Sequence, residues 1–217
     1  LNTFFIGAGG SIRGQVQRDY YREQVFGLGG SYVNETEDNE SFWNQIIINL
    51  EVQYTPERVF TSPALAKNGL VSDEYIFTAV AEKWHRWSET FPSAYLVAQY
   101  MHRSESDLVG LHLSGYGGNV GNTDYKRSDG ISGADYLVFA GFQPWPNKKF
   151  VAEWAILYDI RGGLLAQPLI KWNPGSGLSV DLFYNYLKSN IRGDSADTLT
   201  RSLDHIQEVG LRIAYQL

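Results

Sequence analysis

The last nine residues, Val209-Gly-Leu-Arg-Ile-Ala-Tyr-Gln-Leu217, put a bulky apolar side chain on every odd position and Gly210, Arg212, Ala214 and Gln216 on the even ones. A period of two carried to the final residue belongs to an extended strand, because a helix turns 3.6 residues per cycle and would scatter these side chains around its axis. The alternation recurs in Ile46, Ile48, Leu50, Val52 and Tyr54, with Asn49, Glu51 and Gln53 between them. It recurs again in Phe150, Ala152, Trp154, Ile156, Tyr158 and Ile160, and in Val180, Leu182, Tyr184 and Tyr186. A chain built from such runs has to find cover for one apolar face per strand.

Punctuation separates the runs. Phe91-Pro92-Ser93, Pro144-Trp-Pro146-Asn and Asn173-Pro-Gly-Ser-Gly177 read as tight turns, and longer polar stretches lie near 55–73, 103–133 and 189–204. About ten strands are predicted, near 2–17, 20–33, 42–54, 74–86, 93–102, 134–143, 149–160, 163–172, 178–188 and 206–217. The segment 74–86 is the weakest, since Ile76, Val80, Trp84 and Trp87 also fit one face of a helix.

Placed antiparallel with the C-terminus on one side, the three tight turns fall together and the three long stretches fall on the opposite side. Short inner turns and long outer loops are the asymmetry of an outer-membrane barrel. Trp43, Trp84, Trp87, Trp145 and Trp172 fall near the inner, periplasmic strand ends, leaving only Trp154 mid-strand. Indole favours the membrane–water boundary, so these five are the expected interface aromatics.

Composition agrees where it constrains anything. Aromatics reach 14% and glycine 22 residues, against 19% charged, a mix of strand and turn formers. Mean hydropathy is −0.27, which argues against a helical membrane protein but not against a barrel, whose strands are apolar only on alternate positions. No run approaches the roughly 18 apolar residues of a membrane helix. A net charge of −6 supplies no basic patch for nucleic acid, and the absence of cysteine rules out disulfides and thiolate metal sites. Leu1 carries no basic leader behind it, so any signal peptide is expected to be gone already.

Several segments, taken in order, carry a resemblance. They are Tyr54-Thr-Pro-Glu-Arg-Val-Phe60, Lys83-Trp-His-Arg-Trp-Ser-Glu-Thr-Phe-Pro92, Met101-His-Arg-Ser-Glu-Ser-Asp-Leu108, Leu113-Ser-Gly-Tyr-Gly-Gly118 and Leu157-Tyr-Asp-Ile-Arg-Gly-Gly-Leu-Leu-Ala-Gln-Pro168. From about residue 40 onward the chain resembles the C-terminal half of a proteobacterial outer-membrane β-barrel family classed as a domain of unknown function. Its genes lie near those for a periplasmic lipid-binding protein and an RND-type lipid transporter. The resemblance implies a barrel that moves lipids or other hydrophobic molecules, with those two proteins and outer-membrane lipids as partners. It also implies strands N-terminal to this chain, and it carries no catalytic residues.

The residues expected to face the lumen are Asn49, Glu51, Gln53, Glu153, Asp159, Gln167, Lys171, Asp181, Asn185, Glu208 and Arg212. They would either set the selectivity of a pathway or pair with one another and brace the wall. The loop 103–133 would fold inward as a constriction or remain a surface loop, and Asp124 and Asp129 are weak calcium candidates. Glu35, Glu37, Asp38 and Glu40 form an acidic run, read as a solvated loop or a docking point for a basic partner. His85, His102, His112 and His205 lack metal-site spacing, and Ser114 beside His112 and Asn119 lacks a nucleophile elbow, so neither a zinc site nor a hydrolase is expected.

The expectation is therefore a single outer-membrane domain over 1–217, an all-β, antiparallel up-and-down transmembrane β-barrel of about ten strands, whole or the C-terminal part of a larger one. It is a channel or transport component for hydrophobic or amphiphilic small molecules or lipids, without enzymatic activity or cofactor. The alternatives are a structural barrel with a filled lumen that docks envelope partners, and a soluble β-sandwich that binds carbohydrate through its aromatics.

Overall fold

The alternating runs do form strands, and every strand pairs with its neighbours in the sequence. The computed structural model describes residues 20–38, 41–60, 70–106, 108, 133–192 and 206–216. Within them lie β1 (Phe26–Asn34), β2 (Ile46–Phe60), β3 (Leu70–His85), β4 (Ala94–Arg103), β5 (Ala134–Pro144), β6 (Phe150–Asp159), β7 (Gly163–Gly175), β8 (Leu178–Lys188) and β9 (Glu208–Tyr215). They make one sheet in the order β1 to β9, antiparallel throughout, and the sheet is not closed on itself. A soluble sandwich requires a second sheet, and among the described residues there is only this one. No helix long and apolar enough to cross a membrane is present among them.

The segment 74–86 is a strand, not a helix, and extends back to Leu70. The expected strand at 2–17 lies outside the described residues. The expected strand at 20–33 begins only at Phe26. Two boundaries move for a local reason. The stretch 55–73 was expected to be loop, yet β2 runs on to Phe60 through a bulge between Thr55 and Arg58. Pro56, which has no N–H to give the ladder, sits in that bulge, and Glu57 takes a positive φ of 48°. Asp73 seals the irregularity by accepting from the Glu57 N–H and the Tyr54 hydroxyl, both at 2.9 Å. Likewise β7 continues past Asn173-Pro174 to Gly175, and its register with β8 shifts between Trp172 and Gly175. The hairpin then closes in two residues, Ser176 (φ 55°) and Gly177 (φ 79°), the left-handed pair of a type I′ turn. A Cβ at Gly177 would sit 2.3 Å from the Gln216 carbonyl oxygen, so only glycine fits where β9 ends against the turn.

Strand ends alternate between two ends of the sheet: those joined through 35–45, 86–93, 145–149 and 176–177 lie at the turn end, and those joined through 61–69, 104–133, 160–162 and 189–207 at the loop end, with 35–45 long for its end and 160–162 short. Directly paired residues point the same way, so each face can be followed from strand to strand. One face carries Leu50, Ala79, Ala98, Phe139, Ile156, Ala166, Leu182 and Leu211 across the middle of the sheet. It is the apolar face. The other carries Glu51, Thr78, Gln99, Glu153, Lys171, Asp181 and Arg212 among Val97, Val138, Leu169 and Phe183. It is the mixed face.

A single layer leaves little interior. Among the described residues only Ile46, Phe60, Ala94, Ala134, Tyr136 and Leu187 are buried apolar side chains. Apolar burial is what offsets the entropy of ordering a chain, so a sheet this wide needs its apolar face covered by something else. Gly141 shows how tightly the sheet itself is packed. Its cross-strand partner Trp154 lies over it, and a Cβ there would meet the Tyr95 carbonyl oxygen at 2.5 Å and the indole ring at 2.6 Å. Gly141→Val is expected to lower stability by about 1–3 kcal/mol through overpacking. Gly30→Val is the control, with nothing within 4 Å of the new Cβ, and should leave the midpoint of denaturant unfolding unchanged.

Candidate functional site

The mixed face is the candidate site, and its polar residues come from neighbouring strands at matching heights. On β8 and β9, Arg212 donates to buried Asp181 through Nε at 2.9 Å. Asn185 links Gln167 of β7 to Glu208 of β9, accepting from the first and donating to the second. That bond spans a gap in the β7–β8 ladder between Ala166 and Leu169, where Pro168 has no N–H to offer. Lys171 pairs with Glu153 at 3.1 Å. At the other side of the sheet, Asn49 accepts from Ser31 and donates to Glu82 at 2.9 Å, and Glu82 also accepts from the Tyr95 hydroxyl. Gln53 donates to Thr55 at 3.3 Å.

Of the residues expected to face the lumen, all eleven stand on this one face. They form short cross-strand groups rather than one constellation. Glu51 and Gln53 border a hollow of about 390 Å³ with Gly27, Gly29, Ile76 and Thr78. A second hollow of about 310 Å³ is lined by Tyr95, Val97, Phe142 and Leu169 together with Glu153 and Gln167. Apolar and hydrogen-bonding groups therefore share one wall.

Asp159, like Asp181, is buried. It is only 2% exposed, at the loop end, where both its carboxylate oxygens accept from the Arg161 guanidinium. Nearby is a cluster that sequence reasoning missed. Glu74 is fully buried and accepts from Arg58, from Arg103 and from the Ser106 hydroxyl. Arg103 also donates to the Leu108 carbonyl at 3.2 Å, and the Leu108 N–H donates to the hydroxyl of buried Tyr136 at 3.0 Å. Leu108 packs with Met101 and Leu157 around Tyr136. The root of the 104–133 connection is thereby folded over the mixed face at its loop end. The signal was available: once 74–86 is taken as a strand, Glu74 and Glu82 fall on the same side as Thr78, but the helix-like spacing of Ile76, Val80 and Trp84 hides it.

The tryptophans expected at the interface, Trp43, Trp84, Trp87, Trp145 and Trp172, all lie at the turn end. They are not all on one face. Trp172 stacks on Phe150 on the apolar side, with ring centroids 6.3 Å apart. Trp84 stands on the mixed face, against Tyr95 at 5.0 Å and Phe142 at 5.4 Å. His85 packs between Phe42 and Trp87 at 5.1 and 4.4 Å. His102 lies at the loop end of the apolar face, 2.8 Å from Asp135, which also accepts from Tyr100 at 2.6 Å.

Among the described residues no three His, Asp or Glu side chains gather in a group able to hold a metal ion. Strand 2–17, Glu40, Asp107, His112, Ser114, Asn119, Asp124, Asp129 and His205 lie outside the described residues. Glu35, Glu37 and Asp38 fall in the 35–45 connection at the turn end.

The burial of these groups separates their energetic roles. Glu74→Ala would strand Arg103, 10% exposed, without its carboxylate and leave Arg58, 24% exposed, with Glu23 at 3.5 Å. The expected loss is about 3 kcal/mol, the lower end for breaking a buried ion pair. Lys171→Met breaks a pair in which both side chains are about a third exposed, Lys171 at 32% and Glu153 at 38%, so its loss should be much smaller. Denaturant titrations of the two variants side by side check the order.

Comparison with protein-family models, with curated proteins and with solved structures finds no match for this chain.

Proposed function

We propose that this sheet is the wall of an outer-membrane β-barrel, that the apolar face meets lipid, and that the protein serves as a channel or transport component for hydrophobic or amphiphilic small molecules or lipids. The observation that carries the reading is the layering of the apolar face. Its middle is uncharged among the described strand residues, from Leu50 and Val52 on β2 to Leu211 and Ile213 on β9. The loop-end border of this band is tyrosine with hydrogen-bonding neighbours: Tyr54 and Tyr75 stacked at 4.6 Å with Asp73, then Tyr100 with Asp135 and His102, then Tyr158. The turn-end border holds Lys83, His85, Phe150 and Trp172. An apolar band between two amphipathic borders matches hydrocarbon between two headgroup layers. Lys83 behaves as a snorkelling residue, reaching from the band's edge to the Asn44 carbonyl in the turn-end connection.

Strand lengths fit as well. A tilted strand crosses the hydrocarbon in roughly 9–11 residues. β2 to β8 run from 10 to 16 residues. On the mixed face, a wall that alternates Phe142, Val97 and Leu169 with Glu153 and Gln167 suits a molecule with both apolar and polar parts.

One observation favours the structural alternative, a barrel with a filled lumen that docks envelope partners. Four charged residues of the mixed face are mutually paired, Asp181 with Arg212 and Glu153 with Lys171, as a self-bracing wall would have them. The partners to try on either reading are outer-membrane lipids, a periplasmic lipid-binding protein and an RND-type transporter.

Protein reconstituted in lipid vesicles separates the readings. A carbene reagent confined to the hydrocarbon should label cysteines placed by Leu182→Cys and Ile213→Cys and spare one placed by Asp181→Cys. The reverse pattern would sink the membrane assignment. An amphiphilic dye should cross vesicles that carry the protein faster than bare vesicles, with the rate altered by Lys171→Met. Correct labelling without any dye flux leaves the bracing barrel standing and removes the transport role.

A further inference from the structure

The two edges of the sheet are its most exposed parts, and nothing in their sequence guards them. On β1, Leu28 is 80% exposed and Tyr32 61%. On β9, Val209 is 72% and Ile213 65%, whereas Ile170 and Leu182 in the interior strands are near one half. Strands that end a sheet in solution are blunted by proline, by bulges or by outward charges. β1 reads Phe-Gly-Leu-Gly-Gly-Ser-Tyr-Val-Asn, with none of these, and it pairs with β2 without a register shift. The charges of β9, Glu208 and Arg212, are both engaged by β8 on the mixed face. Edges of this kind are built to be paired.

Direction decides what can pair with them. β1 runs from the loop end to the turn end, and so does β9. Joined directly they would make a parallel seam in an otherwise antiparallel sheet. A second copy does not remove the problem. Two copies inserted the same way in one membrane meet β1 to β9, β1 to β1 or β9 to β9, and each of these seams is parallel. An odd number of intervening strands makes both new seams antiparallel. The free edge of β1 is approached at the loop end, where the chain enters it from Tyr20, and nineteen residues of this chain precede Tyr20. That exceeds the roughly 9–11 residues of one crossing.

We propose that β1 and β9 are joined through an odd number of further amphipathic strands, and that the one against β1 is supplied by the polypeptide N-terminal to Tyr20. The inference rests on the membrane reading, since it is hydrocarbon that forbids an open row of N–H and C=O groups.

The full chain in lipid vesicles tests it with paired cysteines on the apolar face. Tyr32→Cys with Ile48→Cys, cross-strand partners on β1 and β2, should form a disulfide and serves as the positive control. Tyr32→Cys combined in turn with Val209→Cys, Leu211→Cys or Ile213→Cys should form none. Hydrogen exchange should find successive amides of Phe26–Asn34 protected alike. A β1–β9 disulfide, a disulfide dimer through Tyr32→Cys alone, or free exchange at every second β1 amide would each overturn the proposal. Recovery of the protein in the aqueous phase would instead sink the membrane reading beneath it.

Discussion

The structure depends on the antiparallel backbone ladder. Eight ladders link nine strands in sequence order, so the N–H and C=O groups of β2 to β8 are met by the strands before and after each. No packing between layers holds this sheet together, because the described residues form one layer. Its irregularities are placed where the ladder has to be broken. Pro56 falls in a bulge, Pro174 at the register shift before a two-residue turn, and Pro168 at a lapse that a side-chain bond from Gln167 to Asn185 crosses. Backbone groups with no partner are costly out of water, and these three prolines stand where the ladder already yields.

Two chemically different faces follow from that ladder. Because antiparallel partners share a side, one misplaced register would turn a whole strand's apolar set onto the mixed face. Across the middle of the sheet one side is apolar from β2 to β9, while the other mixes apolar with polar and charged residues. Cross-strand ion pairs and aromatic stacks then add fractions of a kcal/mol each and fix register more than they supply stability. Trp154 over Gly141 belongs to the same logic, since a ring from one strand covers the backbone its neighbour leaves bare.

The loop end is organised differently. Glu74, Arg58, Arg103, Ser106 and Tyr136 tie the start of the 104–133 connection to β3, β4 and β5 with buried, charge-assisted hydrogen bonds. Ser106 and Leu108 are thereby held against the mixed face at its loop end, and the greater part of the loop lies outside the described residues.

Period-two alternation in 150–160, 178–188 and 206–217 determined strand identity, face and connection order almost to the residue, because a pleated strand converts sequence parity directly into side. The gathering of tryptophans at one end was legible for the same reason. Parity does not determine where a ladder persists through a proline, so the extensions of β2 to Phe60 and β7 to Gly175 came only with the register of their neighbours. Nor does it reveal which side of the sheet Trp84 takes when its own strand also reads as a helix. The Glu74 cluster was least visible of all. Its members are spread from Arg58 to Tyr136, and they meet only because three ladders bring distant strand ends to one height. Local sequence fixes what each strand can present to its two sides; long-range pairing alone fixes which strands, and therefore which charges, stand together.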